Sequence, residues 1–126
     1  MSKWDEHDLL PKVTAALRQD GRPYMTAYQL AIKLERAHPG LAEQLGKVLG
    51  GVGIGVRNSL AEYLGGQLAS RIDREGTAFP VERAYLSNDE IREVRFAAPD
   101  GDLVSSLTGS GYHLSIYRWR GPVSDS

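Results

Sequence analysis

The residues with the clearest chemical meaning stand where a glycine-rich segment meets a predicted helix. Residues 50–55 contain four glycines, and Arg57, Asn58 and Ser59 follow closely after them. Free backbone amides and the positive end of the helix dipole attract anions at such a helix start. The segment is therefore either an anion site, to which these three side chains add donors, or a flexible connector whose glycines serve tight turns.

A second candidate for contact with an anion is Arg118-Trp119-Arg120, at the end of the last predicted strand. Two arginines that flank an aromatic ring are suited to contact with a phosphate backbone or a base. The same three residues are also typical of a sheet edge, where the tryptophan is buried and the two solvated charges discourage pairing with another sheet. Both interpretations stay open at the level of the sequence.

Other patterns that could support chemistry are incomplete. The stretch Gly51-Val52-Gly53-Ile54-Gly55-Val56 approaches a dinucleotide-binding fingerprint, but it ends in valine and follows a predicted helix instead of a strand. The chain has no cysteine, and its three histidines have no metal-ligand spacing. No local pattern selects a nucleophile among the serines. We therefore expect no enzyme activity, no metal site and no cofactor.

Composition is that of an ordinary globular protein. Of 126 residues, 41% are hydrophobic and 25% are charged, so we expect a single domain over residues 1–126 with its own core. Fifteen basic and sixteen acidic residues give a formal net charge of −1. The net charge therefore gives no indication of a nucleic-acid partner, which an overall positive charge would favour. The longest uncharged apolar stretch is far shorter than the roughly 20 residues of a membrane span, and the acidic start does not resemble a secretory leader. A cytoplasmic location without membrane contact is expected.

Two of the predicted helices carry a signal for where they begin. Thr26 with Gln29, and Ser59 with Glu62, have the spacing of capping boxes, in which side chains satisfy the free amides of the first turn. Within the last helix, Gly65-Gly66 predicts either close packing or a kink. The predicted helices cover about 9–19, the stretch from Thr26 to Pro39-Gly40, 41–49 and 60–73.

After Gly76 the pattern changes from helices to strands. β-branched and aromatic residues concentrate in short stretches that are separated by turn residues. These stretches are 79–86, 91–97, a short piece at 103–107, and 112–119. A helical part over about 8–76 followed by a small antiparallel sheet over about 77–120 is an α+β fold. Residues 121–126 are small and polar, and we expect this tail to fray.

The order of these elements resembles a winged helix-turn-helix. The stretch from Thr26 to Leu34, a capped helix start followed by a stripe of alanine and leucine, is similar to the second helix of that superfamily. The resemblance covers about residues 8–120 in element order. It implies that the helix beginning near Arg57 is the recognition helix and that the strands from Phe79 onward form the wing, with its tip at 109–111. Residues 38–55 depart from the family pattern, where this turn is short.

The resemblance implies a small DNA-binding regulator whose recognition helix enters the major groove by its N-terminal end. A near-neutral monomer offers few phosphate contacts, so a homodimer is expected. The implied DNA contacts are Arg57, Asn58 and Ser59 at the recognition helix, Thr26, Tyr28 and Gln29 at the second helix, and Arg118 and Arg120 on the sheet.

The alternative is a protein-interaction module that has the same fold and binds no nucleic acid. Near-zero net charge favours it, and so do Trp4, Tyr28 and Tyr63, which we expect at the surface, because aromatic anchors dominate protein interfaces. A continuous basic stripe from Arg57 to the wing would favour DNA, whereas a mixed surface with an apolar patch would favour a protein partner.

Overall fold

The computed structural model describes residues 3–19, 21–51, 58–87, 89–91, 93–99, 101–104 and 113–120. In these ranges the α-helices are α1 (Lys3–Glu6), α2 (Leu9–Leu17), α3 (Ala27–Ala37), α4 (Leu41–Gln44) and α5 (Leu60–Glu75), with a 3-10 turn at Gly76–Ala78. The strands are β1 (Met25–Thr26), β2 (Val81–Leu86), β3 (Arg95–Phe96), β4 (Leu103–Val104) and β5 (Leu114–Trp119). This arrangement confirms the α+β class, with helices towards the N-terminus and a small antiparallel sheet.

The largest sheet has three strands, and β5 lies in its middle. It pairs antiparallel with β1 on one side and with β2 on the other, in the order β1-β5-β2. The sheet-edge interpretation concerned Arg118-Trp119-Arg120: β1 does not reach these residues, and Trp119 is buried as that interpretation expects. β1 pairs with Ile116 and Tyr117 alone, so four residues of β5 extend past it: Leu114, Ser115, Arg118 and Trp119. Arg118 and Trp119 pair with Glu82 and Val81 of β2.

The core forms where α2, α3 and α5 pack against one face of this sheet. Leu60, Leu64 and Leu68 of α5 are fully buried, as their spacing of four predicts for one helix face. They join a cluster of buried side chains that includes Tyr117 and Trp119 of β5. Burial of this leucine face fixes α5 against the sheet and leaves its opposite side at the surface.

The start of α3 is held by the predicted capping box. The Thr26 side chain accepts a hydrogen bond from the Gln29 backbone N–H (3.1 Å), and the Gln29 side chain accepts one from the Thr26 backbone N–H (2.7 Å). At the start of α5 the Ser59 Oγ likewise accepts the Glu62 backbone N–H (2.9 Å). Both predicted helix starts are confirmed.

The α3 cap gives a first prediction. Replacing Thr26 with alanine should lower the free energy of unfolding by about 1 kcal/mol, because one backbone donor of the first turn loses its acceptor. Urea denaturation followed by far-UV circular dichroism measures the change. Lys33→Ala, at an exposed position of the same helix, is the control and should change the stability by less than about 0.5 kcal/mol. A Thr26→Ala variant as stable as the parent would contradict this account of the cap.

The third predicted helix is shorter than the sequence suggests. Its helical part ends at Gln44, and Gly46 adopts a positive φ of 72°, a conformation that ends helices. Val48 is 51% exposed and forms a parallel β-bridge with Ser59. The prediction of a helix over 41–49 is therefore wrong beyond Gln44, because a chain in the left-handed conformation cannot continue an α-helix.

Two of the three aromatics expected at the surface are in the core. Trp4 is 2% exposed and Tyr28 is 4% exposed, whereas Tyr63 is half-buried. Trp4 belongs to α1. This helix was not predicted from the sequence, because the first residues are acidic and show no helical pattern. The exposure expected for Trp4 and Tyr28 is therefore wrong, because both rings pack into the core cluster.

The β-rich part differs from the prediction mainly in strand length. Among the described residues of the stretch 91–97, the strand is limited to Arg95–Phe96, which pairs with Leu103–Val104. The expected wing tip at 109–111 and the expected tail at 121–126 lie outside the described residues. In the described part of the chain, no helix has the length and apolarity needed to cross a membrane.

Candidate nucleic-acid interface

The donors expected at the start of α5 differ in whether their side chains reach the surface. Ser59 is fully buried, and its hydroxyl caps the helix, so this side chain is not part of the surface. Asn58 is exposed, while its backbone carbonyl accepts the Val48 N–H (2.9 Å). Arg57 lies outside the described residues. Of the described part of this junction, Asn58 is the donor that an anion can reach.

The side chains at the start of α3 are mostly packed inside the protein. Thr26 is buried, and the Gln29 side chain is exposed but already bonded in the capping box. The ring of Tyr28 stacks on Phe96 of β3, with centroids 5.1 Å apart and planes 7° from parallel. Thr26 and Tyr28 were expected to position a DNA backbone, but their burial assigns both side chains to the fold. Gln29 is the member of this group at the surface.

A different surface collects basic and aromatic side chains at the end of β5 beside the loop that follows α2. We call it the arginine corner. It consists of Arg18, Arg22, Tyr24, Arg118, Trp119 and Arg120.

Two of these arginines lie over aromatic rings. The Arg18 guanidinium carbon is 4.3 Å from the centroid of the Trp119 ring, and that of Arg118 is 4.7 Å from the centroid of the Tyr24 ring. At these distances the ring quadrupole attracts the cation. The rings thus hold two guanidinium groups at the surface while Trp119 itself stays mostly buried.

The other two arginines are fixed by backbone carbonyls. Arg22 Nη1 donates to the carbonyl of Arg120 (3.0 Å), and Arg120 Nε donates to the carbonyl of Phe79 (3.1 Å). Each of these bonds uses one of the five N–H donors of a guanidinium group. The bonds therefore fix the position of the two charges without neutralising them.

One arginine of the corner has an acidic partner. Arg118 forms an ion pair and hydrogen bond with Glu82, its cross-strand neighbour on β2. The hydrogen bond to this carboxylate raises the pKa of Arg118. Arg118 therefore stays charged at any physiological pH, and the pair orients its guanidinium group beside the Tyr24 ring.

The sequence identified only part of this surface. Arg118 and Arg120 were proposed from their own pattern, but Arg18, Arg22 and Tyr24 were not. Arg22 and Arg120 are 98 positions apart, and no local pattern connects them. A prediction that the segment after α2 pairs with the last strand would have found them, but the two-residue β1 leaves no periodic signal.

The described residues show no metal centre. In the described ranges there is no group of three or more histidine or acidic side chains that could hold a metal ion. His7 and His38 do lie at the same cleft, of about 360 Å³, together with Asp8 and Lys12. The cleft has polar walls of both charge signs, which gives it no evident selectivity for a cation or an anion.

Comparisons with known proteins add no functional assignment. No protein-family profile matches the chain, and neither the curated proteins nor the solved structures include a significant match.

Proposed function

We propose that the chain is a small DNA-binding regulatory protein of winged-helix type that contacts the phosphate backbone through the arginine corner. One observation carries this proposal. Two segments that are 98 positions apart, at Arg22 and Arg120, come together. They bring four arginines to the end of β5, two of which lie over aromatic rings. A near-neutral chain thus brings four basic side chains to one end of its sheet, with the side chains of Arg118 and Trp119 on opposite faces because they are consecutive in β5.

The chemistry of the corner suits phosphate. Arginine presents a planar fork of N–H donors that matches phosphate oxygens, and it is more weakly hydrated than lysine. Guanidinium groups held over rings and by backbone carbonyls lose less conformational freedom on binding than free side chains do. Backbone contacts of this kind carry no base sequence information, so they supply affinity and orientation.

The order of the elements supports the winged-helix part of the proposal. α2, α3 and α5 precede the antiparallel pair β2 and β5, as the resemblance implies. Base contacts would come from the start of α5, where Asn58 is exposed. A homodimer that doubles the phosphate contacts, and a cytoplasmic location, belong to the same proposal.

The proposal is tested by titrating duplex DNA of random sequence at several salt concentrations. The variant Arg22→Ala/Arg118→Ala should bind more weakly, because two arginines no longer reach the phosphates. Its plot of log affinity against log salt should be shallower by about 1 to 2 units, because Arg118 shares its charge with Glu82 and so contributes less than a full phosphate contact. Circular dichroism and thermal unfolding check that the variant remains folded.

The matched control is Lys33→Ala/Arg36→Ala, which removes the same formal charge from exposed positions of α3. It should keep the salt slope of the parent. Equal losses in both double variants would assign the effect to net charge, and unchanged binding in the Arg22→Ala/Arg118→Ala variant would refute the corner as the DNA contact.

A protein-interaction module on the same fold is the second candidate. Tyr85 and Leu86 at the end of β2 are 59% and 44% exposed, and adjacent exposed apolar side chains are typical of protein contacts. The same titration separates the two functions, because an interaction module of this kind would bind no duplex DNA.

A further inference from the structure

The three-stranded sheet has one short edge and one long edge. It ends on one side at β1, which has two residues, and on the other side at β2, which has six. Among the described residues, β2 pairs with β5 alone. The outer side of an edge strand presents a row of backbone N–H and C=O groups, and a further strand can pair with them.

β2 lacks most of the features that prevent such pairing. Its six residues include no proline and no lysine, and its register with β5 runs without a bulge. At its end, the side chains of Tyr85 and Leu86 are exposed. A long and regular edge of this kind is suited to the addition of a strand from another chain.

The two charged side chains of β2 are already paired within the chain. Glu82 forms its ion pair with Arg118, and Arg83 forms one with Asp73 of α5 (3.0 Å). Charged side chains protect an edge when the approach of another strand would leave them without a partner. In β2 that protection is weakened, because each charge keeps its partner when a strand is added.

A second copy of β2 fits this edge without placing like charges opposite each other. In an antiparallel pair of identical strands, the two-fold axis passes between one residue and the same residue of the other copy. An axis at Glu82 or at Arg83 would place two like charges face to face, which is destabilising. An axis at Ala84 avoids both pairs and lets residues 82–86 of each copy pair along their whole length.

The cross-strand neighbours in this register are compatible. With the axis at Ala84, Arg83 lies opposite Tyr85 of the other copy. Within one chain the Arg83 guanidinium carbon is 5.3 Å from the centroid of the Tyr85 ring, so the cation and the ring already share this side of the strand. Glu82 lies opposite Leu86 and keeps its ion pair. An axis at Tyr85 would leave only three residues of each strand paired.

We propose that two copies of the chain join edge to edge through β2, antiparallel and with Ala84 at the two-fold axis, so that two three-stranded sheets become one continuous sheet. This proposal names the surface of the homodimer that is part of the proposed function. Only the use of the dimer to double the phosphate contacts rests on that function. The contact itself uses none of the arginine-corner residues except through the Glu82 ion pair.

The strength of the dimer follows from the small size of the contact. A single pair of short strands belongs to the weak class of interfaces, and we expect a dissociation constant of about 10 μM or higher. Dilute samples for circular dichroism therefore contain mostly single chains, and the unfolding of single variants reports on the monomer. Concentrated samples contain the dimer.

Sedimentation equilibrium of the full chain in the absence of DNA tests the proposal. The parent should show a monomer–dimer equilibrium. Ala84→Lys places two ammonium groups face to face at the axis and should raise the dissociation constant by about fivefold or more. The matched control is Ala15→Lys, the same substitution at an exposed position of α2. It should change the dissociation constant by less than about twofold, because a distant surface charge is screened.

A mixture of two variants tests the register. Ala84→Lys and Ala84→Glu should each associate weakly with itself, whereas an equimolar mixture should recover a dissociation constant within about threefold of the parent, because lysine then faces glutamate across the axis. Far-UV circular dichroism checks that each variant is folded.

Three results would overturn the inference: a parent that stays monomeric up to about 1 mM, equal losses in Ala84→Lys and Ala15→Lys, or no recovery in the mixture. Since DNA is absent, a failure of DNA binding leaves the dimer result unaffected. A monomer that still binds DNA would overturn the dimer and leave the proposed DNA contacts in place.

Discussion

Replacing Trp4 with alanine should lower the free energy of unfolding by about 3–5 kcal/mol. The residue lies near the N-terminus among acidic neighbours, where the sequence suggests little consequence for stability. In the structure its ring is 2% exposed and packs in the core cluster. Truncation would therefore remove a large apolar surface from the core and leave a cavity behind.

The surroundings of Trp4 explain why so short a helix is held in place. The Arg71 guanidinium carbon is 4.7 Å from the centroid of the Trp4 ring, and Lys3 Nζ donates to the carbonyl of Leu45 (2.8 Å). α1 thus contacts α5 through the ring and the end of α4 through the lysine. Loss of the indole ring would remove the contact with Arg71 directly. It would also weaken the Lys3 hydrogen bond, because both residues belong to the same short helix.

Chemical denaturation followed by far-UV circular dichroism measures this effect without depending on tryptophan fluorescence. Trp4→Phe keeps a ring in the cavity and should cost clearly less than Trp4→Ala. Tyr85→Ala, at a side chain that is 59% exposed, should stay within about 0.5 kcal/mol of the parent. A loss below about 1 kcal/mol for Trp4→Ala would mean that α1 is not packed against the core.

The second large effect is expected for Tyr28→Ala, which should lower the free energy of unfolding by about 3 kcal/mol or more. Tyr28 is buried beneath Phe96, and their rings are almost parallel. The substitution removes core packing at the start of α3 and also the ring on which the β3–β4 hairpin rests.

A double-mutant cycle with Phe96→Ala isolates the stacking contact. We expect a coupling free energy of about 0.5–1.5 kcal/mol between the two rings. Tyr28→Phe is the functional control, since it keeps the ring and should leave DNA binding unchanged. Weaker DNA binding in a fully folded Tyr28→Phe variant would restore this residue as an interface residue and contradict its assignment to the core.

The elements predicted well are those whose signals are local. The Thr26 cap is fixed by side chains three positions apart, and the buried face of α5 follows from leucines that recur every four residues. Half of the residues of β5 are of types that favour strands (Ile116, Tyr117 and Trp119), and β2 contains Val81 and Tyr85. In each case the physical cause lies within one element, so the sequence pattern displays it directly.

The features that the sequence did not predict depend on contacts between distant segments. Trp4 is buried because α5 offers it a surface, and β1 forms because β5 supplies its partners. The arginine corner arises from the same pairing, since Arg22 reaches Arg120 only when β1 has joined the sheet. Neither composition nor periodicity contains this information.

The central position of β5 has a consequence for how the protein is made. β5 follows both of its partner strands along the chain, so during translation β1 and β2 leave the ribosome before the strand that joins them. Until β5 emerges, each of them presents unpaired amide and carbonyl groups, and such edges invite association with other chains. Assembly of this sheet thus waits for β5, and a truncated product that ends before Leu114 would leave β1 and β2 unpaired and the core side chains that β5 covers exposed.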